Sequence, residues 1–223
     1  MIMTNLKSGK MNINQMIDEW EGVLFKPKET YKELAKRANF RDGLYHLAAL
    51  CVFYFLFMSI AIIVFGSLFG ALAKNLGIIG GSILVALLLG VVSAIAIFIT
   101  ALIYNGILLV MAKILGGKGS FGQQFHMIYA GDTPMTIITS IVSVIATIIS
   151  PIPCIGLIIY IITLLALWIY SLYLKVIALR ETHGYSTFRA VATLVIPVII
   201  ISAILVIAIL IFFGAFFSRI NAY

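Results

Sequence analysis

Residues 191–217 read VATLVIPVIIISAILVIAILIFFGAFF, an uncharged run in which Thr193 and Ser202 are the only hydrogen-bonding side chains. The hydrocarbon core of a bilayer is about 30 Å thick and takes about 20 helical residues to cross. This run is long enough. Barrel strands alternate apolar and polar residues over about ten positions; this run is apolar on every face, so a helix is the conformation that satisfies its backbone in lipid.

Working outward, four more runs of this kind occur at 44–72, 78–111, 126–149 and 155–178. The expected fold class is all-α: a polytopic integral membrane protein of five transmembrane helices with N-terminal interfacial amphipathic helices. Composition agrees, with 63% hydrophobic and 10% charged residues and a mean hydropathy of +1.17. The expected organisation is a segment 1–43 ahead of a membrane domain 44–223, with loops too short to hold a second globular domain. The first run begins too late and is too long for a signal peptide, so it is expected to stay as an anchor. The run 78–111 would extend to about 50 Å as a helix, so tilt, a break near Gly80, Gly81 or Gly90, or extension beyond the lipid must absorb the excess. Pro197 predicts a kink in the last span.

Thirteen of the fifteen Lys and Arg residues fall on one side of this arrangement, with only Lys74 and Arg219 on the other. That asymmetry predicts a cytoplasmic N-terminus and an extracytoplasmic C-terminus in a prokaryotic plasma membrane. The net charge of +7 then reflects topology and attraction to lipid headgroups, and points to membrane lipids rather than nucleic acid as the partner. Cys51 and Cys154 are expected at opposite faces, too far apart to pair. Gly66 and Gly70, like Gly77 and Gly81, are spaced for close helix approach and would also permit a homo-oligomer.

Ahead of the first span, Ile13, Met16, Ile17, Trp20, Val23 and Leu24 recur at helical spacing, with Asp18, Glu19 and Glu21 assigned to other faces. Pro27 suits the first turn of a second helix, in which Tyr31, Leu34 and Ala38 share one face and Glu29, Lys32, Glu33, Lys36 and Arg37 pair along the other. Asn39 and Gly43 read as stop and hinge. These helices are expected at headgroup level, bracing the bundle. The alternative is a docking surface for a cytoplasmic protein partner, with Trp20, Phe25, Pro27 and Tyr31 as its residues.

The segment Gly116-Gly117-Lys118-Gly119-Ser120 lacks the glycine spacing, the Lys-Ser/Thr step and the preceding strand of a nucleotide-binding loop. It reads as a tight hairpin with Ser120 as a helix N-cap. Gly117, Lys118, Gly119 and Ser120 remain a candidate lipid-phosphate site. Asp132 is the one carboxylate expected at membrane depth. Asp132-Thr133-Pro134 reads as an N-cap and helix start; the competing reading is an ion or proton site with Tyr104, Asn105 and His126. His46, His126 and His183 all fall on the cytoplasmic side, where independent interfacial histidines are expected and no metal or cofactor. Neither a Ser/His pair, paired carboxylates nor a His-Glu-x-x-His motif supports hydrolysis.

Trp20 followed by Val23-Leu24-Phe25-Lys26-Pro27, then Leu115-Gly116-Gly117-Lys118-Gly119-Ser120-Phe121, then Leu179-Arg180-Glu181-Thr182-His183-Gly184-Tyr185-Ser186 resemble, in that order, the Yip1-domain family in its prokaryotic form. The resemblance runs from about Met16 to Val206. It implies a five-span fold with a cytoplasmic N-terminus. Eukaryotic members are linked to Rab-type GTPases, vesicle formation and membrane shaping, through a longer N-terminal domain than this chain carries. The expected function is a non-enzymatic membrane-organising or adaptor protein; the alternative is a small channel or transporter using Asp132. A transport route would need polar lining, for which Ser93, Thr100, Thr139, Ser140, Ser143, Thr147 and Thr163 are the available residues.

Overall fold

The computed structural model describes residues 11–73, 83–149 and 155–220, with side chains over 11–63, 83–146 and 158–213. Two short helices, α1 (Ile13–Phe25) and α2 (Pro27–Leu34), precede five long ones: α3 (Phe40–Ala73), α4 (Ile83–Ile114), α5 (Phe121–Ile149), α6 (Ile155–His183) and α7 (Thr187–Ile220). Each long helix contains a stretch apolar and long enough to cross a membrane. The protein is an all-α polytopic integral membrane protein.

Local signals set the helix ends. Asn12 caps α1 reciprocally with Gln15: the Gln15 amide donates to Asn12 Oδ1 at 2.8 Å, and the Asn12 amide to Gln15 Oε1 at 3.1 Å. Pro27 opens α2 with its fixed φ and no amide to leave unpaired. Asn39 caps α3, accepting from the Asp42 amide at 3.0 Å and donating to the Asp42 carboxylate at 2.8 Å. The α4 helix closes at Gly116, whose φ of +84° a side chain would strain. The next two amides fold back there, Gly116 to Lys113 O at 3.0 Å and Gly117 to Ala112 O at 2.8 Å. Ser120 then caps α5, its hydroxyl accepting from the Gln123 amide at 3.3 Å.

The helix α5 is the hub. It packs against α1, α3, α4 and α6, while α7 lies against α4 and α6 and α2 against α6. Large apolar side chains along α4, α6 and α7, such as Val92, Ile162 and Leu210, point outward into what is a lipid-facing surface. The buried residues gather at the end of the bundle where α1 and α2 sit. There Val23, Tyr31 and Leu34 interleave with Leu108 of α4, Met127, Ile128 and Ala130 of α5, and Leu174 and Ile177 of α6.

Several details differ from the sequence reading. The helix α5 runs unbroken from Phe121, with Pro134 inside it, so Asp132 does not cap a helix start. The stronger start signal is Ser120, and a second break six residues inside the apolar packing would strand amides away from water. Gly43 is no hinge: it lies within α3, where it faces α5. The glycine pairs at 66/70 and 77/81, and Cys154, lie outside the residues whose side chains are described. Cys51 is a free thiol.

Candidate functional site

Glu19 sits on the face of α1 that also carries Met16 and Val23, three and four positions away, so it turns toward the bundle. Its side chain is 2% exposed. One carboxylate oxygen, Oε2, lies 3.0 Å from Nε2 of His46 on α3 and 3.0 Å from Nε2 of His126 on α5. The other, Oε1, meets the Arg37 guanidinium at 2.8 Å. Both histidines are fully buried. Gly43 makes this convergence possible, since a Cβ there would come within 2.9 Å of the His126 backbone. Close contact at that point brings His46, one turn further along α3, against His126, with ring centroids 5.2 Å apart.

The far side of each ring fixes its proton. The indole Nε1 of Trp20 donates to His46 Nδ1 at 2.8 Å, and the Asn39 amide donates to His126 Nδ1 at 3.4 Å. An indole and a main-chain amide can only donate. Each Nδ1 is therefore an acceptor, the ring proton sits on Nε2, and both rings donate to the Glu19 carboxylate. Burial pushes that carboxyl up, but the hydrogen bonds from His126 and His46, with the electrostatic pull of the same two rings, outweigh it and hold it at about 2.

Glu19, His46 and His126 could place three ligand atoms within 4.8 Å of one another, the one such group among the described residues. Their surroundings are wrong for a metal. A ligating imidazole offers one nitrogen lone pair to the ion and donates its other N–H to an acceptor. Here both outer nitrogens face donors, and a guanidinium already occupies the carboxylate. Catalysis by this carboxylate fares no better, because a group held at about 2 is a weak base and its exposure leaves no room for a substrate. The cluster is a sealed polar lock between α1, α3 and α5.

His183 repeats the arrangement elsewhere. The Gly119 amide donates to its Nδ1 at 3.1 Å, its Nε2 donates to Gln124 Oε1 at 2.9 Å, and Gln124 Nε2 donates to the Asn105 carbonyl at 2.9 Å. The Lys118 amide bonds His183 O at 3.2 Å. This corrects the phosphate reading of Gly117, Lys118, Gly119 and Ser120. Their amides are spent on Ala112, His183 and, for Ser120, Gln123 Oε1 at 3.0 Å. Only the Lys118 side chain stays free to meet an anion.

The carboxylate of Asp132 pairs with Lys175 of α6 at 3.2 Å, and the Lys175 ammonium lies 5.6 Å from the Tyr104 ring centroid. Asn105 bonds Ala101 O on its own helix at 3.0 Å. His126 is not a neighbour of Asp132: six residues along α5 turn it about 120° away and displace it about 9 Å. Several polar side chains further along the spans turn back on their own helices, while Ser59 of α3 reaches across to the Ala86 carbonyl of α4 at 3.4 Å and the Thr147 side chain lies outside the described residues. Ser93, Thr139, Ser143 and Thr163 donate to Gly90, Met135, Thr139 and Ile159 carbonyls at 2.7–2.8 Å.

Of the partner-surface residues, Trp20 is engaged by His46, and Tyr31 is 1% exposed. Tyr31 goes inward because Gly131 of α5 leaves space for its hydroxyl. Pro27 is half-buried, and Phe25, at 78% exposure, is the one that projects freely. The Tyr170 hydroxyl of α6 donates to Leu24 O beside it, which fastens the end of α1.

The family model of the Yip1 domain matches residues 22–215. The chain belongs to the Yip1 domain family. The matched range takes in the last turn of α1, all of α2 and α3 to α6, and α7 as far as residue 215, so the lock belongs to the Yip1 domain apart from Glu19 and Trp20, which stand just before it. No curated protein and no solved structure matches this Yip1-family chain.

Proposed function

We propose that this chain is a non-enzymatic membrane-organising or adaptor protein of a prokaryotic plasma membrane, with α1 and α2 on the cytoplasmic face. One observation carries the reading: α1 is pinned to α3 and α5 by a sealed network and to α6 through Tyr170, and α2 packs its Tyr31 and Leu34 into the bundle, while Phe25 and the charged side of α2 face outward. A module held in fixed register against the bundle serves to present a surface. The excess of Lys and Arg at this end supports its cytoplasmic placement. The inaccessibility of the Glu19 carboxylate supports a role without catalysis.

The second reading, a small transporter, rests on the Asp132–Lys175 pair. Hydroxyls bonded to their own helices offer little lining for a route past it. Two measurements on the full chain decide between the readings. A photo-crosslinker at Phe25 in native membranes is expected to give discrete adducts, with protein adducts favouring an adaptor and lipid adducts an organising role. Proton and cation flux into sealed liposomes is expected to match that of protein-free vesicles; flux abolished by Asp132→Asn would establish the transporter instead.

A further inference from the structure

We propose that the Glu19–His46–His126 cluster is a proton-sensing site that releases α1 from the bundle on mild acidification. The inference concerns the attachment of α1 and does not depend on what α1 presents.

Its basis is the direction of the hydrogen bonds. In the docked state each imidazole already carries its proton on Nε2, aimed at Glu19. A second proton could go only on Nδ1, where it would face the indole N–H of Trp20 or the amide of Asn39. Either protonation replaces an accepted hydrogen bond with two opposed N–H groups. Docking therefore requires both rings to be neutral. Released, the rings meet water, and a free imidazole takes up its second proton near pH 6.5.

The charges facing the rings do not cancel this effect. From α1 comes the Glu19 carboxylate, which attracts a second proton but has the Arg37 guanidinium against its other oxygen at 2.8 Å to offset part of that pull. From α3 comes Asp42, one turn before His46, which keeps its negative charge, since the Asn39 amide that holds it is neutral, but it is half-exposed and screened by water outside the sealed cluster. On α5 the one acidic residue is Asp132, occupied by Lys175. With Arg37 counted against Glu19, a proton added to either ring would leave the cluster one positive charge in excess.

The sign follows from linkage. The released state binds more protons, so docking is at full strength above about pH 7 and weakens as pH falls below about 6.5. One titrating ring changes the docked-to-released ratio by up to about tenfold per pH unit.

Two readouts on the full chain in liposomes test this. Trp168→Phe leaves Trp20 as the sole indole, and a protonated imidazole quenches a neighbouring indole. Spin labels on Asn14→Cys and Lys113→Cys, with Cys51→Ser and Cys154→Ser, report the distance from α1 to the end of α4. Between pH 7.5 and 5, Trp20 emission is expected to change and the label distances to broaden together. His46→Gln with His126→Gln, which keeps amide donors toward Glu19, is expected to flatten both curves over this range. Constant signals down to pH 5 in the otherwise unaltered chain would overturn the proposal. So would a pH response that survives the double substitution.

Discussion

Trp20 and His46, 26 positions apart, are joined by a 2.8 Å hydrogen bond from the indole N–H to Nδ1. This one contact fixes which nitrogen of His46 carries the proton, and so makes the ring a donor to Glu19. Trp20→Phe keeps the aromatic bulk and removes the donor, leaving a buried acceptor unpaired. A loss of about 1–3 kcal/mol is expected, read as a lower thermal midpoint in detergent with helical content unchanged. An unshifted midpoint would show that the indole bond adds nothing to the attachment.

Glu19 holds three partners at once, so its removal strands them together. Breaking a buried ion pair costs about 3–5 kcal/mol. Arg37 is 33% exposed and can turn to water, which places Glu19→Ala at the low end, about 3 kcal/mol. Faster proteolysis at Lys26 and Lys28, with the membrane helices intact, is the expected sign. Wild-type cleavage rates would show that the carboxylate does not hold α1.

The same residue predicts a second acid transition. The carboxyl is held at about 2 against 4.5 when free, so its contribution is present above pH 4.5 and lost progressively as pH falls through 4.5 toward 2. In the His46→Gln, His126→Gln protein, whose α1 stays docked on mild acidification, unfolding midpoints measured from pH 5 to 3 should fall, and adding Glu19→Gln should remove much of that slope. An equal slope in the variant would place the acid sensitivity elsewhere.

Gly131 and Tyr31 meet face to face, and a Cβ on Gly131 would collide with the Tyr31 hydroxyl. Gly131→Ala is expected to cost about 1–3 kcal/mol through overpacking. Adding Tyr31→Phe should return part of it, because the two changes share one contact and are not additive. Strict additivity in that double-mutant cycle would mean the ring is not seated on Gly131.

Asp132→Asn alone leaves Lys175 facing a neutral amide between helices, at a cost of about 3 kcal/mol. Asp132→Asn with Lys175→Met removes both charges and should recover most of it. Thermal midpoints of the three proteins check this ordering. If the double variant is the least stable, the charge pair itself holds α5 to α6.

The five spans were legible because lipid imposes a composition that no soluble helix needs, as 191–217 makes plain. End signals were legible where the chemistry is local: Ser120 as a cap, Pro27 as a start, and Tyr31 and Leu34 on one face of α2, whereas Ala38, expected on the same face, lies beyond the helix end. Asp132-Thr133-Pro134 misled because a capping triplet carries no information about the stronger start upstream or the cost of a break in lipid. The lock was missed for two reasons. Glu19 was grouped with the acidic residues Asp18 and Glu21, although its turn of α1 also carries Met16 and Val23. Its partners stand 27 and 107 positions away, and no local periodicity links such residues. Lys175 was read as a flanking topology charge, so the partner of Asp132 was also overlooked.

Separation along the chain also sets a timetable for biosynthesis. Glu19 leaves the ribosome 107 residues before His126, roughly 5–20 s earlier at typical elongation rates. Through that interval α1 has no completed socket, and only insertion of α5 can close it. Nascent chains arrested before residue 126 should therefore show protease-accessible α1, and chains arrested after α6 has emerged should not.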